Sequence, residues 1–327
     1  MNDDPYSAPV PAPALVPATV AVGAADTSSW RPPAGIAPRG TLLLLPGRGE
    51  HPLVYERFGR RLAADGYVVH ALGTVPDDGP EEVLKRAADA AGPGPAEPVV
   101  LVGSDTGALQ ALHTAVAAGA RLPVGGVIAA GAAPVPRVAE PPTGSATDPR
   151  SGSATDPRSG SATVPGSGSA TDPAAGPAAG ESPDTGPDTP TPASIPTPAP
   201  ADPDWDAELA ARTACPAHRK RLTEDEGFVR GRLAGPVPAL LLAEARPDLP
   251  VLVLHGGADT VTPPDQARER AARLPRATLG VVREGLHDIL NDASHRTTAA
   301  TVVLWLERLR ADPELRPILT VEQGAAL

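Results

Sequence analysis

The sequence predicts an open, mostly parallel α/β sheet flanked by helices, and three observations predict it. Short apolar runs alternate with amphipathic helical stretches, the runs are nearly continuous in apolar residues, and one long segment that cannot build a core interrupts them. Strand, helix and strand in turn make right-handed crossover units. Continuous apolar runs suit strands covered on both faces of a parallel sheet.

Taken in order, residues 1-39 hold eight Pro and read as a disordered N-terminal tail. The first strand is Thr41 to Leu45 (TLLLL), followed by a helix from Pro52 to Ala64, a strand from Tyr67 to Leu72 (YVVHAL) and a helix from Pro80 to Ala91. Next come Pro98 to Val102 (PVVLV), a helix from Thr106 to Ala118, and Val124 to Ala130 (VGGVIAA). The rhythm then stops. Residues 144-175 repeat an octapeptide, GSATDPRS, GSATDPRS, GSATVPGS, GSATDPAA, and a Pro/Thr-rich run continues to Pro203. A period of eight is too short for a solenoid unit with its own apolar face. From Pro141 to Pro203 there are fifteen Pro, no aromatic residue and no Leu, so a disordered insertion is expected there.

Trp205 to Arg246 reads as helix-like without a clear strand, a candidate cap over the carboxyl edge of the sheet, where such folds bind ligands. Strands at Pro250 to Leu254 (PVLVL) and Ala277 to Val282 (ATLGVV) and helices at Pro263 to Leu274 and Ser294 to Arg310 complete the set. The expected organisation is a tail (1-39), a core segment (40-139), the disordered insertion (140-203), a helical cap (204-247), a second core segment (248-312) and a C-terminal tail (313-327).

Composition narrows the function. The net charge of −11 argues against nucleic acid as a partner. The stretch from Pro141 to Pro203, with seven acids against two Arg, carries −5 of it. One cysteine, Cys215, excludes an internal disulfide framework and fits a reducing compartment. No apolar run reaches the ~18 residues of a membrane span, and the Pro-rich start does not read as a secretory signal. The expectation is a cytoplasmic protein with a small-molecule substrate and no transmembrane segment.

The sharpest motif is VVLVGSDTGALQAL, residues 99-112: a strand, a Gly-x-x-x-Gly turn and a helix. A tight strand-to-helix elbow needs glycines two before and two after the residue at its tip, because neighbouring backbone comes too close for a Cβ. Gly103 and Gly107 frame Asp105; with Ser104 at the tip, Val102 and Thr106 would stand at the glycine positions. Asp also tolerates positive φ better than most residues. Asp259 follows a strand in PVLVLHGGADTVTPP, and His287 precedes the last helix in EGLHDILND. Nucleophile, acid, histidine is the chain order of a catalytic triad on an α/β sheet. In it Asp259 is expected to orient the imidazole of His287 and stabilise its charged form, and His287 to serve as base.

At these residues the chain resembles a known family. LLLLPGRGEHPLVYERFGRRLAADGYVVHAL (42-72), with HGGAD and GLHDILND, is similar to the lysophospholipase and monoacylglycerol-lipase (serine aminopeptidase-like) group of α/β-hydrolases. The resemblance implies the α/β-hydrolase fold, a cap inserted after the Val124 to Ala130 strand, no cofactor, and an oxyanion hole from the backbone N–H groups of Arg48 and Thr106. Two positions depart from the family: Pro46 stands for the first His of the loop motif and Asp105 for the nucleophilic Ser. A carboxylate attacking an ester carbonyl gives a mixed anhydride, whereas attack on an sp³ carbon gives an alkyl-enzyme ester that activated water hydrolyses. Epoxide hydrolases and haloalkane dehalogenases, also α/β-hydrolases, carry Asp at this position. Epoxide hydrolases also use cap tyrosines, and no Tyr lies beyond Tyr67 here. Dehalogenases often follow the nucleophile with Trp, where this chain has Thr106.

Other residues invite two readings each. His51 and His255 are read as structural before substrate contacts, and the run His218 to Arg221 (HRKR) as a solvated helix face before an anion site. Cys215 and His218 have ligand-pair spacing, but two residues do not make a metal site. Trp205 and Phe228 either line a pocket or hold the cap together. The expected function is a hydrolase using Asp105, His287 and Asp259 on a small apolar molecule with an electrophilic carbon. The alternative is a catalytically silent member that keeps the fold as a binding or interaction module; a weaker one is residual esterase activity from Ser104.

Overall fold

The computed structural model describes residues 27-136 and 203-319. Seven strands form one sheet: β1 (Ser28–Trp30), β2 (Thr41–Leu45), β3 (Val68–Ala71), β4 (Val99–Ser104), β5 (Val124–Ala130), β6 (Val251–Gly256) and β7 (Ala277–Val282). Their order is β1-β3-β2-β4-β5-β6-β7, with β1 antiparallel to β3 and every other neighbouring pair parallel. The helices are α1 (Glu56–Ala64), α2 (Pro80–Ala91), α3 (Thr106–Ala118), α4 (Pro203–Arg212), α5 (Pro216–Glu224), α6 (Pro264–Arg273) and α7 (His295–Ala311).

The continuous apolar runs follow from a two-faced sheet. Side chains alternate along a strand, so Leu42 and Leu44 of β2 join Val69, Val102, Ile128 and Leu254 in the layer under α1 and α7. Leu43 and Leu45 join Leu101, Val127 and Val253 under α2, α3 and α6. Neither face meets water, so all five residues of β2 are buried. β7, at the edge, is only partly buried. The helices carry their own local signals. α2 opens on Pro80 with Glu81 and Glu82 in its first turn and ends at Gly92, φ 68°, a conformation that favours glycine.

Three expectations are corrected. The tail placed at 1-39 folds from residue 27 on: β1 pairs Trp30 with Val69, and Trp30 is fully buried. It lies so close to α1 that a Cβ on Gly59 would stand 2.1 Å from its ring. Arg39 Nε donates to Glu307 Oε1 of α7 at 2.8 Å. The C-terminal tail placed at 313-327 begins as packed chain, with Leu315 buried against the α1/α7 layer and its carbonyl accepting from Arg308 Nε at 3.0 Å. β4 and β6 each run two residues beyond their apolar runs. The backbone ladder continues through Gly103 and Ser104 beside Ala129 and Ala130, and through His255 and Gly256 beside Val281 and Val282. The disordered insertion expected at 140-203 lies outside the described residues, apart from Pro203 at the start of α4. Beyond it, α4, α5 and two short 3-10 turns, Arg232–Ala234 and Ala239–Leu241, occupy the stretch read as a cap. No helix among the described residues is long and apolar enough to cross a membrane.

Candidate active site

β4 ends at Ser104, α3 begins at Thr106, and Asp105 alone makes the turn between them at φ 52° and ψ −119°. This is a strained conformation for a residue with a Cβ. Its surroundings hold it: Asp105 N–H donates to Ala130 O at 3.2 Å, and its own carbonyl accepts from Ala133 N–H at 3.0 Å and Ala108 N–H at 3.2 Å. The two glycines are sterically required. A Cβ on Gly103 would lie 2.0 Å from Gly107 O, and one on Gly107 would lie 2.2 Å from Leu45 O. Ser104 pairs in the sheet with Ala130, so Asp105 is the residue at the tip.

The loops after β6 and β7 meet this elbow. Gly256 lets them pack, since a Cβ there would stand 2.3 Å from Gly285 O. Asp259 Oδ1 accepts from the N–H groups of Val261 at 2.8 Å and Thr262 at 3.0 Å, which fixes the carboxylate. Its Oδ2 lies 2.8 Å from His287 Nδ1, and His287 Nε2 lies 3.2 Å from Asp105 Oδ1. Burial by itself would push the His287 pKa down. The hydrogen bonds and charges of Asp105 and Asp259 more than reverse this and raise it to about 10. At neutral pH the imidazole is therefore charged and donates to both carboxylates. The three residues are 4 % exposed or less.

Arg48, in the loop after β2, closes over the elbow. Its Nε donates to Asp105 Oδ2 and its Nη2 to Asp105 Oδ1, each at 2.8 Å, a two-pronged pair between planar groups. The backbone N–H of Arg48 also reaches Asp105 Oδ2, at 2.9 Å. The donor expected to serve an oxyanion is thus engaged by the carboxylate of the elbow itself. Burial would raise the Asp105 pKa; hydrogen bonds from His287 and Arg48 prevail and hold it well below the usual carboxylate range. Thr106, the other expected oxyanion donor, is fully buried at the first position of α3, where a helix N–H has no intrahelical acceptor. Arg48 Nη1 donates to Gly235 O at 2.6 Å, and Arg48 O accepts from Arg212 Nη2 at 2.7 Å, tying the loop to the chain beyond α4.

Behind Arg48 lies a buried polar cluster that the sequence reading does not include. Arg212, with no exposed surface, donates to Glu208 Oε1 at 3.0 Å and Asp288 Oδ1 at 3.3 Å. Glu50 Oε2 accepts from Gly47 N–H at 2.7 Å and from the Tyr55 hydroxyl, while its Oε1 lies 3.8 Å from Arg212. Burial first, then the nearby Asp288 charge, push the Glu50 pKa up to about 7. Glu50 and Asp288 lie within the recognised motifs, a usable signal. Arg212 stands in an unremarkable helix and offers none.

The remaining candidates take structural places. His51 Nε2 lies 2.8 Å from Asp225 Oδ1, and His255 Nε2 2.9 Å from Thr262 O. His218 turns inward to Asp288 at 3.3 Å, whereas Arg221 lies 3.1 Å from Glu56. Cys215 Sγ accepts from Arg57 at 3.3 Å. Trp205 and Phe228 pack with their rings tilted at 50° to each other and centroids 5.5 Å apart.

The Alpha/beta hydrolase family has a sequence model that matches residues 42–303. Among solved structures, the monoacylglycerol lipase of Paleococcus ferrophilus is 19% identical, with 86% of this chain and 97% of that chain covered and a TM-score of 0.52. A soluble variant of the monoglyceride lipase of Saccharomyces cerevisiae, in complex with a substrate analogue, is 14% identical, with 92% and 99% covered and a TM-score of 0.54. A lipase in its open form is 14% identical, with 88% and 94% covered and a TM-score of 0.53. At such identities the likeness is one of fold. No curated protein matches the chain.

Proposed function

This chain belongs to the alpha/beta hydrolase family, and from that membership we propose a hydrolase that works through Asp105, His287 and Asp259 on a small molecule with an electrophilic sp³ carbon. One observation carries the reading: the carboxylate at the tip of a strained elbow has His287 Nε2 at 3.2 Å, with Asp259 at 2.8 Å behind it. In the first step an Asp105 oxygen forms a bond to the carbon and the leaving group departs with its electron pair. Esterification removes one of the two negative charges that keep His287 protonated, so the imidazole releases its proton to solvent together with the leaving group. In the second step neutral His287 takes a proton from water, and the hydroxide adds to the Asp105 carbonyl carbon. The bond between the Asp105 carbonyl carbon and the alkyl oxygen then breaks, the alcohol leaves with the proton that His287 took, and the new Asp105 carboxylic acid gives its proton to His287, which restores the resting pair.

A single turnover in heavy-oxygen water tests this, because the water oxygen enters the Asp105 carboxylate. His287→Gln should accumulate the ester, visible as a mass increase on the 105 peptide, and Asp105→Asn should lower kcat/KM by about 10³-fold or more. Measured turnover with an unlabelled peptide would rule the mechanism out.

A second observation favours the alternative of a silent binding protein. Each Asp105 oxygen accepts two hydrogen bonds, three of the four from Arg48, which leaves no lone pair facing a substrate. Asp105→Ser separates the two: ester hydrolysis gained by that variant would mean the rest of the machinery is intact, and no turnover by either protein on esters, epoxides and halides favours the silent reading.

A further inference from the structure

We propose that Arg48 is a specificity-determining residue that selects substrates carrying an anionic group, a carboxylate in the simplest case, beside the electrophilic carbon. The inference rests on Asp105 as the nucleophile of the elbow. Arg48 is 4 % exposed, and among the described residues its guanidinium has one charged partner, Asp105, plus the carbonyl of Gly235. The hydrogen bonds of Arg212 to carboxylates go elsewhere, to Glu208 and Asp288, with Glu50 3.8 Å away.

The charge balance of the reaction turns this geometry into a demand on the substrate. In the resting site Arg48 offsets Asp105, and charged His287 offsets Asp259. Alkylation makes Asp105 a neutral ester and lets His287 lose its proton, but Arg48 cannot lose its own, since a guanidinium stays protonated in proteins. A neutral substrate therefore leaves the guanidinium without its carboxylate partner in the covalent intermediate, while the balancing charge stays on Asp259, on the far side of the His287 ring, and buried charges held apart in this way are unfavourable. A substrate with its own anion supplies the missing partner, and the fork that held the Asp105 carboxylate fits another carboxylate equally well. The same pairing frees one position on each Asp105 oxygen before attack, because the guanidinium Nε and Nη2 occupy two of the four, while the backbone N–H of Arg48 keeps a third. Apolar side chains flank the elbow: Ala108 and Ala133 bond the Asp105 carbonyl through their N–H groups, and Leu109 and Leu241 pack with them. The implied substrate is a short hydrocarbon acid with a leaving group next to its carboxylate.

The decisive measurement is binding and needs no turnover. Propionate and propionamide, matched in size, are titrated at constant ionic strength into the full-length wild type, Asp105→Asn and the charge-deleted Arg48→Gln/Asp105→Asn pair, with binding followed by calorimetry and thermal shift. Asp105→Asn frees the guanidinium without removing it, so it should bind propionate at least tenfold more tightly than the wild type does and prefer it to propionamide. The double variant, which leaves no buried charge unpaired, should lose that preference while staying folded. Equal binding of the two probes by Asp105→Asn, or a preference that survives the loss of Arg48, overturns the inference. Carboxylate preference without turnover of 2-chloropropionate would sustain the anion site and count against the catalytic reading. Turnover of 2-chloropropionamide as fast as 2-chloropropionate would do the reverse.

Discussion

Three constraints meet in the side chain of Asp105. Its backbone is held at φ 52° by Gly103 and Gly107, its carboxylate is almost fully buried, and its charge is matched by Arg48 and His287. Such a carboxylate does not protonate in the ordinary acid range, so pH acts on the site through the imidazole. His287 has a folded-state pKa raised to about 10 from an ordinary value of 6.5. A raised pKa means that the folded state binds the proton more tightly. The stabilisation is complete below pH 6.5 and is lost as pH rises through 10. Urea unfolding at pH 7, 8.5 and 10 should therefore show stability falling, the folding constant by up to about tenfold per pH unit, and His287→Gln should flatten that slope. A wild type as stable at pH 10 as at pH 7 would contradict the charged resting state.

Among the elements, β1 is the one that composition hides. SSW has a single large apolar residue and sits in Pro-rich sequence, so nothing in its pattern marks a strand. What makes it one is Trp30, whose ring lies against the bare face of Gly59 in α1 while its backbone pairs with Val69. Trp30→Ala should cost about 3–5 kcal/mol, as large-to-small changes of buried aromatics do, and a thermal melt within a degree of wild type would show β1 to be dispensable. The ends of β4 and β6 make the opposite case. Gly, Ser and His carry no apolar signal, yet the ladder runs through them and delivers Asp105 and the Asp259 loop to the same edge of the sheet. α5 differs again: its HRKR run looks like a solvated face, but His218 on it is buried against Asp288.

For the whole molecule, the division between core and insertion follows from composition. Residues 144-200 contain no aromatic residue and no Leu. Loop length acts on stability only logarithmically, about 0.6 kcal/mol per doubling. Deletion of 144-200 should leave the Tm within about 4 °C of wild type, the shift that about 1 kcal/mol makes in a domain of this size, and a larger fall in calorimetry would assign that segment a part in the fold. The sequence by itself determined the sheet, six of its strands and the elbow, because hydrophobic periodicity and glycine placement are local properties that the chain carries wherever it folds. It also put Asp105, Asp259 and His287 in the order that brings them together at distances of 2.8 and 3.2 Å. Only the tertiary structure decided that Arg48, taken from its motif for a backbone donor, turns its guanidinium onto Asp105, and that Arg212 backs it from α4. A side chain's partner across 57 or 164 positions depends on which loops the sheet edge collects and which charges burial leaves in need of a counter-ion. No local pattern in the sequence records that choice.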